Sequence, residues 1–176
     1  MNLNNSMLIM TLIVAVCGGC SSSPTAPDSS PSPTAPPASP MTNWVVTQRF
    51  VSVNGPDNCW VRAQRAQLTG AIFPDLPMTI TRTGTAITLD GDFFQVNYAG
   101  TASGNEFSAS GKQPLAGGGA PCQDGTSFQQ MPGISNLSGR ISGGDRLLTA
   151  TEVNSYRLTS GEPVTYTWGW EAVRRN

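Results

Sequence analysis

The chain has 176 residues and is nearly neutral, with 10 Lys and Arg residues against 11 Asp and Glu residues, so neither a nucleic acid nor an anionic membrane surface is indicated as a partner. It contains no histidine, the side chain most often used as a general base or metal ligand near neutral pH. We therefore predict that the protein is not an enzyme, and that it has no catalytic residue, no metal site and no cofactor.

The N-terminal segment has the pattern of an export signal. Residues 7–16 form an apolar run of ten residues, which suits the core of a signal peptide and is too short to span a bilayer. The run is followed by Cys-Gly-Gly-Cys at positions 17–20 and then by serines, and this stretch resembles a bacterial lipoprotein signal, in which small residues precede an acylated cysteine. The resemblance implies a signal peptide over residues 1–19 and lipidation of Cys20, because Cys20 follows two glycines whereas Cys17 follows the bulky Val16.

The same resemblance sets the expected location. Several acyl chains hold a protein firmly on a membrane, and Ser21 after the modified cysteine implies sorting to the outer membrane of the cell envelope. The periplasmic face and the cell surface both stay open, and an ordinary cleaved export signal with two incidental cysteines is the alternative. The expected membrane contact is thus an N-terminal lipid anchor.

Residues 20–42 comprise the acylated cysteine and a tether rich in proline and serine. Between Ser21 and Thr42 there are seven prolines and seven serines, and no aromatic residue. This composition cannot bury enough apolar surface to fold, so we predict a disordered, semi-extended spacer that holds a folded domain away from the membrane.

The folded domain is predicted over residues 43–176, which contain all thirteen aromatic residues. Apolar and polar residues alternate along its segments, a pattern typical of β-strands. A first strand covers Trp44–Val53, with Val51 and Val53 on one face and Phe50 on the other, and a second is expected from about Cys59 to Thr69. A meander of four strands, a long loop and a meander of three strands follow, and no helix is predicted.

Eight or nine antiparallel strands are therefore expected. Such a number favours closure into a barrel, which removes the sheet edges. The turn spacing and the single-faced strands resemble the small barrels of the lipocalin-like (calycin) type, and the resemblance covers about residues 43–174. The predicted fold is an all-β, antiparallel, eight- to nine-stranded up-and-down barrel, with a two-sheet β-sandwich as the alternative, and we expect a monomer.

Turn residues give a register for each hairpin. Two-residue turns at positions 83–84, 90–91, 104–105 and 143–144 produce four pairings: Ile80 with Ile87, Ile87 with Phe94, Ala102 with Phe107, and Gly139 with Leu148. The last hairpin, Asp145–Arg174, keeps its apolar residues on one face only if its loop has an odd number of residues. That register pairs Tyr156 with Tyr166, Asn154 with Trp168, and Glu152 with Trp170.

Outside the leader, Cys59 and Cys122 are an even pair in an oxidising compartment, and we predict that they form a disulfide. The bond would fasten the long loop Lys112–Gly133, which contains three consecutive glycines, against the second predicted strand. The loop is then either a lid over one end of the barrel or a surface loop stapled for stability alone.

An aromatic cluster on the inner face is the candidate ligand-binding site. Aromatic walls with a few polar groups are typical of small-ligand pockets, and the cluster comprises Glu152, Asn154, Tyr156, Tyr166, Trp168, Trp170, Phe94 and Tyr98. We expect an envelope lipoprotein that binds a small apolar ligand. The alternative is a filled barrel, with Glu152 near the rim and bonded to an arginine, that serves as a structural or protein-interaction module such as an envelope scaffold or an inhibitor. A bulge near Glu152 would turn this side chain outward.

Overall fold

The computed structural model describes residues 42–91, 96–114 and 122–175, and the predicted signal peptide, lipidation site and most of the tether lie outside these residues. The described chain forms eight strands and one helix: β1 Thr42–Asn54, α1 Cys59–Leu68, β2 Ile72–Thr83, β3 Ala86–Asp90, β4 Tyr98–Ser103, β5 Glu106–Gln113, β6 Gly133–Ser142, β7 Leu147–Arg157 and β8 Pro163–Arg174. Each strand pairs antiparallel with its neighbour in the chain, and β1 also pairs with β8. The sheet is therefore a closed up-and-down barrel, as predicted, and not a two-sheet sandwich.

The two ends of the barrel differ in their connections. At one end, called the turn end, are the short turns 84–85, 104–105 and 143–146, together with the first residue of β1 and the last of β8. At the other, called the helix end, are α1, the described residues of the connection 91–97 and of the loop 114–132, and the turn 158–162. The connections that are long enough to place side chains from outside the sheet near the barrel are therefore at the helix end.

The prediction of a strand over Cys59–Thr69 was wrong, because Cys59–Leu68 is helical. The side chain of Asn58 caps the first turn by accepting a hydrogen bond from the Val61 amide at 2.8 Å. The alanine, glutamine and arginine residues that follow are good helix formers. Trp60 and Val61 are buried against the barrel. From Val61 to Leu68 the apolar residues follow the spacing of a helix and not the alternation of a strand.

An irregularity in β1 changes which of its side chains point inward. The pairing with β8 shifts between Phe50 and Ser52, so the strand contains an irregularity at Val51. Val51 is consequently 61% exposed whereas Val53 is 2% exposed. The prediction that these two valines share a face was therefore wrong. In β7, by contrast, the pairing with both neighbours runs without a shift, so Glu152 stays on the inner face.

Three of the predicted hairpin registers are displaced by two residues. Ala102 pairs with Phe107 as predicted, but three others become Ile80 with Leu89, Gly139 with Ala150, and Tyr156 with Val164. A shift of two leaves every side chain on its predicted face, because alternate residues of a strand share a face. Ile87 pairs with Gly100 instead of Phe94, since the connection between β3 and β4 is longer than two residues.

The inner face packs into two apolar clusters. The turn-end cluster comprises Trp44, Val46, Leu76, Met78, Ile80, Ile87, Leu89, Val96, Tyr98, Ala102, Phe107, Ala109, Leu137, Ile141, Leu148, Trp170 and Ala172. The helix-end cluster comprises Val53, Trp60, Val61, Tyr156, Leu158, Val164 and Tyr166. Trp168 packs against both clusters and so joins them.

The predicted disulfide between Cys59 and Cys122 is present, with 6.0 Å between the two Cα atoms. It joins the first residue of α1 to the loop between β5 and β6. The same loop bonds to the β7–β8 turn, since the Thr159 amide donates to the Gln129 carbonyl oxygen at 2.9 Å. Phe128 of the loop packs against the helix-end cluster. The described part of the loop therefore belongs to the helix end of the barrel.

Candidate functional site

The inner face carries a buried polar network centred on Glu152. This residue lies on β7, level with Leu137 of β6 and Trp168 of β8, and only 1% of it is exposed. One carboxylate oxygen, Oε1, accepts hydrogen bonds from the Tyr98 hydroxyl at 2.5 Å and from the Ser135 hydroxyl at 2.7 Å. The other accepts from two further donors, the amide of Gln48 at 2.7 Å and the indole of Trp170 at 2.9 Å. Four donors from four other strands thus converge on one side chain.

The described partners of Glu152 are all uncharged. A carboxylate that accepts four hydrogen bonds and donates none has the bonding pattern of the ionised form. Hydrogen bonds to an ionised group are about twice as strong as neutral ones, and here they offset the cost of burying the charge. No arginine of the described chain bonds to Glu152, which lies well inside the barrel, so the expectation of a rim position with an arginine partner was wrong.

The charge of Glu152 acts on the nearby tyrosines. Burial, then the negative charge of Glu152 and the hydrogen bond to it, raise the pKa of Tyr98 far above its ordinary value. Burial and then the same charge raise the pKa of Tyr156 to about 12. Burial and then the proximity of Tyr156 raise the pKa of Tyr166, although its hydrogen bond with Gln130 acts in the opposite direction. All three phenols are therefore neutral at physiological pH.

Above this network, at the helix end, lies a cleft of about 180 Å³. We call it the mouth cleft, and its walls are Gln64, Leu68, Gln130, Asn154, Tyr156, Tyr166 and Trp168. The Tyr156 and Tyr166 rings are perpendicular, with 5.9 Å between their centroids. The amide of Gln130 donates to the Tyr166 hydroxyl at 2.9 Å, and Trp168 is fixed from the other side by an edge contact with Phe50. Packing therefore sets the positions of the aromatic walls.

Ser135 links the floor of the mouth cleft to the buried network. Its Oγ lies 2.6 Å from Oδ1 of Asn154, which lines the cleft, and 2.7 Å from Glu152. A hydroxyl has one hydrogen to donate, so Ser135 can serve one of these acceptors at a time. A ligand that bonds to Asn154 would thus contact a side chain already coupled to the barrel interior.

The predicted site residues fall into three groups. Asn154, Tyr156, Tyr166 and Trp168 line the mouth cleft. Glu152, Tyr98 and Trp170 lie beneath it, buried in the hydrogen-bonded network. Phe94 and Cys20 lie outside the described residues.

Five contributing residues were missed by the sequence analysis. Gln64 and Leu68 belong to the helix that was taken for a strand, and Gln130 belongs to the long loop. Gln48 lies on β1 and points inward like Val46. Ser135 lies on β6 and points inward like Leu137. A polar residue at a position where the strand pattern predicts an inward side chain was the available signal. This signal would have identified Gln48 and Ser135.

The chemistry of the mouth cleft is neutral. Its walls hold three amides, three aromatic rings and one leucine, and no charged side chain is among them. In the described part of the chain no group of three or more His, Cys, Asp or Glu residues is placed to hold a metal ion. The arrangement can stack against a ring and form hydrogen bonds with it.

Comparison of the chain with protein-family models, with curated proteins and with solved structures gives no match in any of the three. In the described residues, no helix is both long and apolar enough to cross a membrane.

Proposed function

We propose that the protein is a lipid-anchored envelope lipoprotein whose lipocalin-like barrel binds a small neutral ligand in the mouth cleft. The observation that carries this proposal is the convergence of aromatic and amide side chains from α1, β7, β8 and the loop after β5 around one cleft. A few polar groups among aromatic walls, placed at the mouth of a barrel, are typical of small-ligand sites. The anchor is proposed from the lipoprotein-like stretch that ends at Cys20.

The size of the cleft limits the ligand. An apolar cavity of about 150 Å³ holds one benzene molecule, and pockets for drug-sized ligands begin at about 300 Å³. The mouth cleft, at about 180 Å³, therefore suits a molecule with a single ring. A wholly apolar ligand fits the lining less well than a ligand with polar groups, because it would cover the Gln64 amide and the Gln130 side-chain oxygen without forming hydrogen bonds to them.

The support beneath the cleft favours a binding role. Asn154 is held by Ser135, and Ser135 by Glu152, so one wall rests on the buried network. A site whose side chains are already fixed loses little conformational entropy when a ligand binds.

Tryptophan fluorescence of the full chain tests ligand binding. We expect some one-ring neutral compounds to change the emission, and we expect this change to disappear in Trp168→Phe because the indole at position 168 lines the cleft. Trp44→Phe is the matched control, since Trp44 is buried in the turn-end cluster. A change that persists in Trp168→Phe, or the lack of any response across the panel, would refute binding at the mouth cleft.

The anchor is tested separately. Mass spectrometry of the mature protein should find an acylated Cys20 at the N-terminus, and Cys20→Ser should move the protein from the membrane fraction to the soluble fraction. Cys17→Ser is the control and should stay with the membrane. An unmodified N-terminus elsewhere in the leader would refute the anchor while leaving the ligand proposal intact.

A protein-interaction role is the second candidate, and the outer surface of the turn end favours it. Leu147 and Val173 pair across β7 and β8, are 48% and 54% exposed, and line a groove of about 480 Å³ together with Val45. Under this candidate the barrel interior is filled and a partner protein covers the groove. Leu147→Ser combined with Val173→Thr should then abolish a cross-link to one specific envelope protein, and loss of ligand binding in the same variant would argue against it.

A further inference from the structure

We infer that the ligand of the mouth cleft is a neutral pyranose, a six-membered sugar ring bearing hydroxyl groups. The inference rests on the proposed function and narrows it to one ligand class. Its basis is the unused hydrogen-bonding capacity, the aromatic walls and the charge of the cleft.

The cleft has hydrogen-bonding capacity to spare. Within the described residues, the Gln64 amide and the Tyr156 hydroxyl form no hydrogen bond, and neither is among the fully buried polar atoms without a partner. Gln130 uses its nitrogen on Tyr166, which leaves its oxygen as an acceptor and the Tyr166 hydrogen as a donor. The rim of the cleft therefore offers both hydrogen-bond donors and acceptors. Sugar hydroxyls, each of which both donates and accepts, match such a rim.

The aromatic walls match the other part of a sugar. A pyranose presents C–H groups on its ring faces, and these hydrogens carry partial positive charge. The face of an aromatic ring is the negative part of its quadrupole. Trp168, Tyr156 and Tyr166 supply three such rings within one cleft. A ring with an apolar face and a hydroxylated edge thus satisfies both the aromatic and the amide groups of the lining.

Charge argues against the main competing ligands. An anion would find no cation in the lining and would approach the buried carboxylate of Glu152 through Ser135 and Asn154. A quaternary ammonium ion can bind between aromatic rings. Such an ion forms no hydrogen bonds, however, so it would leave the Gln64 amide and the Gln130 side-chain oxygen without a partner, and the Glu152 carboxylate is already bonded to four donors. The neutral polar ring is the class that leaves the fewest groups unsatisfied.

The test measures binding of defined probes to the full chain in phospholipid nanodiscs, by calorimetry and by saturation-transfer NMR. The sugar probes are glucose, N-acetylglucosamine and the linear trimer of the latter. Cyclohexanol supplies the ring without the hydroxyl array, and choline supplies the quaternary ammonium. We expect the sugars to bind with a Kd of about 1 mM or tighter, as suits a small ligand in a shallow site, and cyclohexanol and choline not to bind. A trimer that binds more tightly than the monomer identifies the end of a glycan as the source, and equal affinities identify a free sugar.

Two helix variants locate the sugar. Gln64→Leu should weaken sugar binding by about three- to tenfold, the effect of losing one neutral hydrogen bond. Gln67→Leu is the matched control, because Gln67 is exposed on the same helix and does not line the cleft, and its affinity should be unchanged. Equal weakening by both variants overturns the assignment to the cleft. Binding of cyclohexanol without the sugars overturns the sugar class and retains the proposed function, whereas binding of choline alone, or no binding by any probe, overturns both.

Discussion

At the turn end of the barrel, short turns join the strands and bond to neighbouring strands, whereas at the helix end a helix, a disulfide-linked loop and a five-residue turn surround an open cleft. The Ala102 amide of β4 donates to the Thr85 carbonyl oxygen, and the Ile141 amide of β6 donates to that of Asn105, both at 2.8 Å, so each of these turns is bonded to a neighbouring strand. The helix end instead contributes Gln64 and Gln130, which come from outside the sheet. Short turns connect neighbouring strands with few residues outside the sheet. Long connections contain more such residues, and their side chains can form a site.

The Glu152 network lies between these two regions and belongs to both. Trp170, from the turn-end cluster, donates to the same carboxylate that Ser135 connects to Asn154 in the mouth cleft. The polar layer therefore fixes the floor of the site by bonding it to a residue of the turn-end cluster. Variants can separate the contributions of the network, the helix end and the turn end.

Removing the network should have the largest effect and should affect both ends. Glu152→Leu removes the shared acceptor of four buried donors, and although Ser135 can still donate to Asn154, each donor left without an acceptor costs about 1–3 kcal/mol. Since the neighbours can relax in part, we expect a loss of about 5 kcal/mol in the free energy of unfolding, measured with denaturant.

Glu171→Leu is the matched control for this variant. Glu171 lies on the adjacent strand β8 and is exposed on the outer face, where substitutions usually change stability by about 0.5 kcal/mol or less. If Glu152→Leu were as mild as Glu171→Leu, the network would not be what holds the two clusters together.

Removing the disulfide should weaken the helix end in particular. The bond joins residues separated by 63 positions, and loop-closure entropy assigns about 4 kcal/mol to a loop of this length. In the Cys59→Ala and Cys122→Ala double variant we expect a loss of that order in denaturant unfolding. We also expect faster amide exchange in α1 than at the β4–β5 turn. Equal acceleration at both ends would contradict a local role for the bond.

The barrel could be predicted from the sequence because strand alternation is a local signal. The inward positions of Glu152, Asn154 and Trp170 followed from parity alone, and parity survives a register shift of two. The pairings themselves depended on the assumed turn lengths. For example, the turn after Ser142 spans four residues instead of two, which moved Gly139 from Leu148 to Ala150.

The mouth cleft could be predicted only in part, for a physical reason. Its strand residues, such as Tyr156 and Trp168, share a face that the pattern reveals. Gln64 reaches the cleft because α1 packs across the barrel end, and Gln130 because its loop is held against the β7–β8 turn. These contacts are set by tertiary packing and by the disulfide, and no short-range pattern encodes them.

Alkaline pH should unfold the domain through the tyrosines of the network and cleft. The chain has three tyrosines, and the folded state raises the pKa of each, to about 12 for Tyr156. An acid whose folded pKa is raised contributes its full stability below the unfolded value of 10.0 and loses it as pH rises toward the folded value. Stability should therefore fall above pH 10 by about 1.4 kcal/mol per pH unit for each tyrosine.

Phenolate absorbance and circular dichroism, followed together, check the pH prediction. The phenolate signal should appear with unfolding and not before it, because the folded barrel keeps all three phenols neutral. In Tyr156→Phe the free energy of unfolding should fall less steeply with pH, by about 1.4 kcal/mol per pH unit, because one of the three tyrosines is absent. Phenolate formation near pH 10 in a protein with native dichroism would show that these side chains are open to solvent.

A single turn at the turn end should show the smallest effect. Gly104 has a φ of +58°, a conformation that strains residues with a Cβ, and no atom lies within 4 Å of a Cβ built there. Gly104→Ala therefore pays only the backbone cost, about 1 kcal/mol, and Gly104→Asn should cost less, because asparagine adopts the left-handed region more readily. Ligand binding at the mouth cleft should be unchanged in both variants, since the turn lies at the opposite end of the barrel. Altered binding would mean that the turn end also affects the mouth cleft, because strain at a short turn would then be transmitted to the site through the strands.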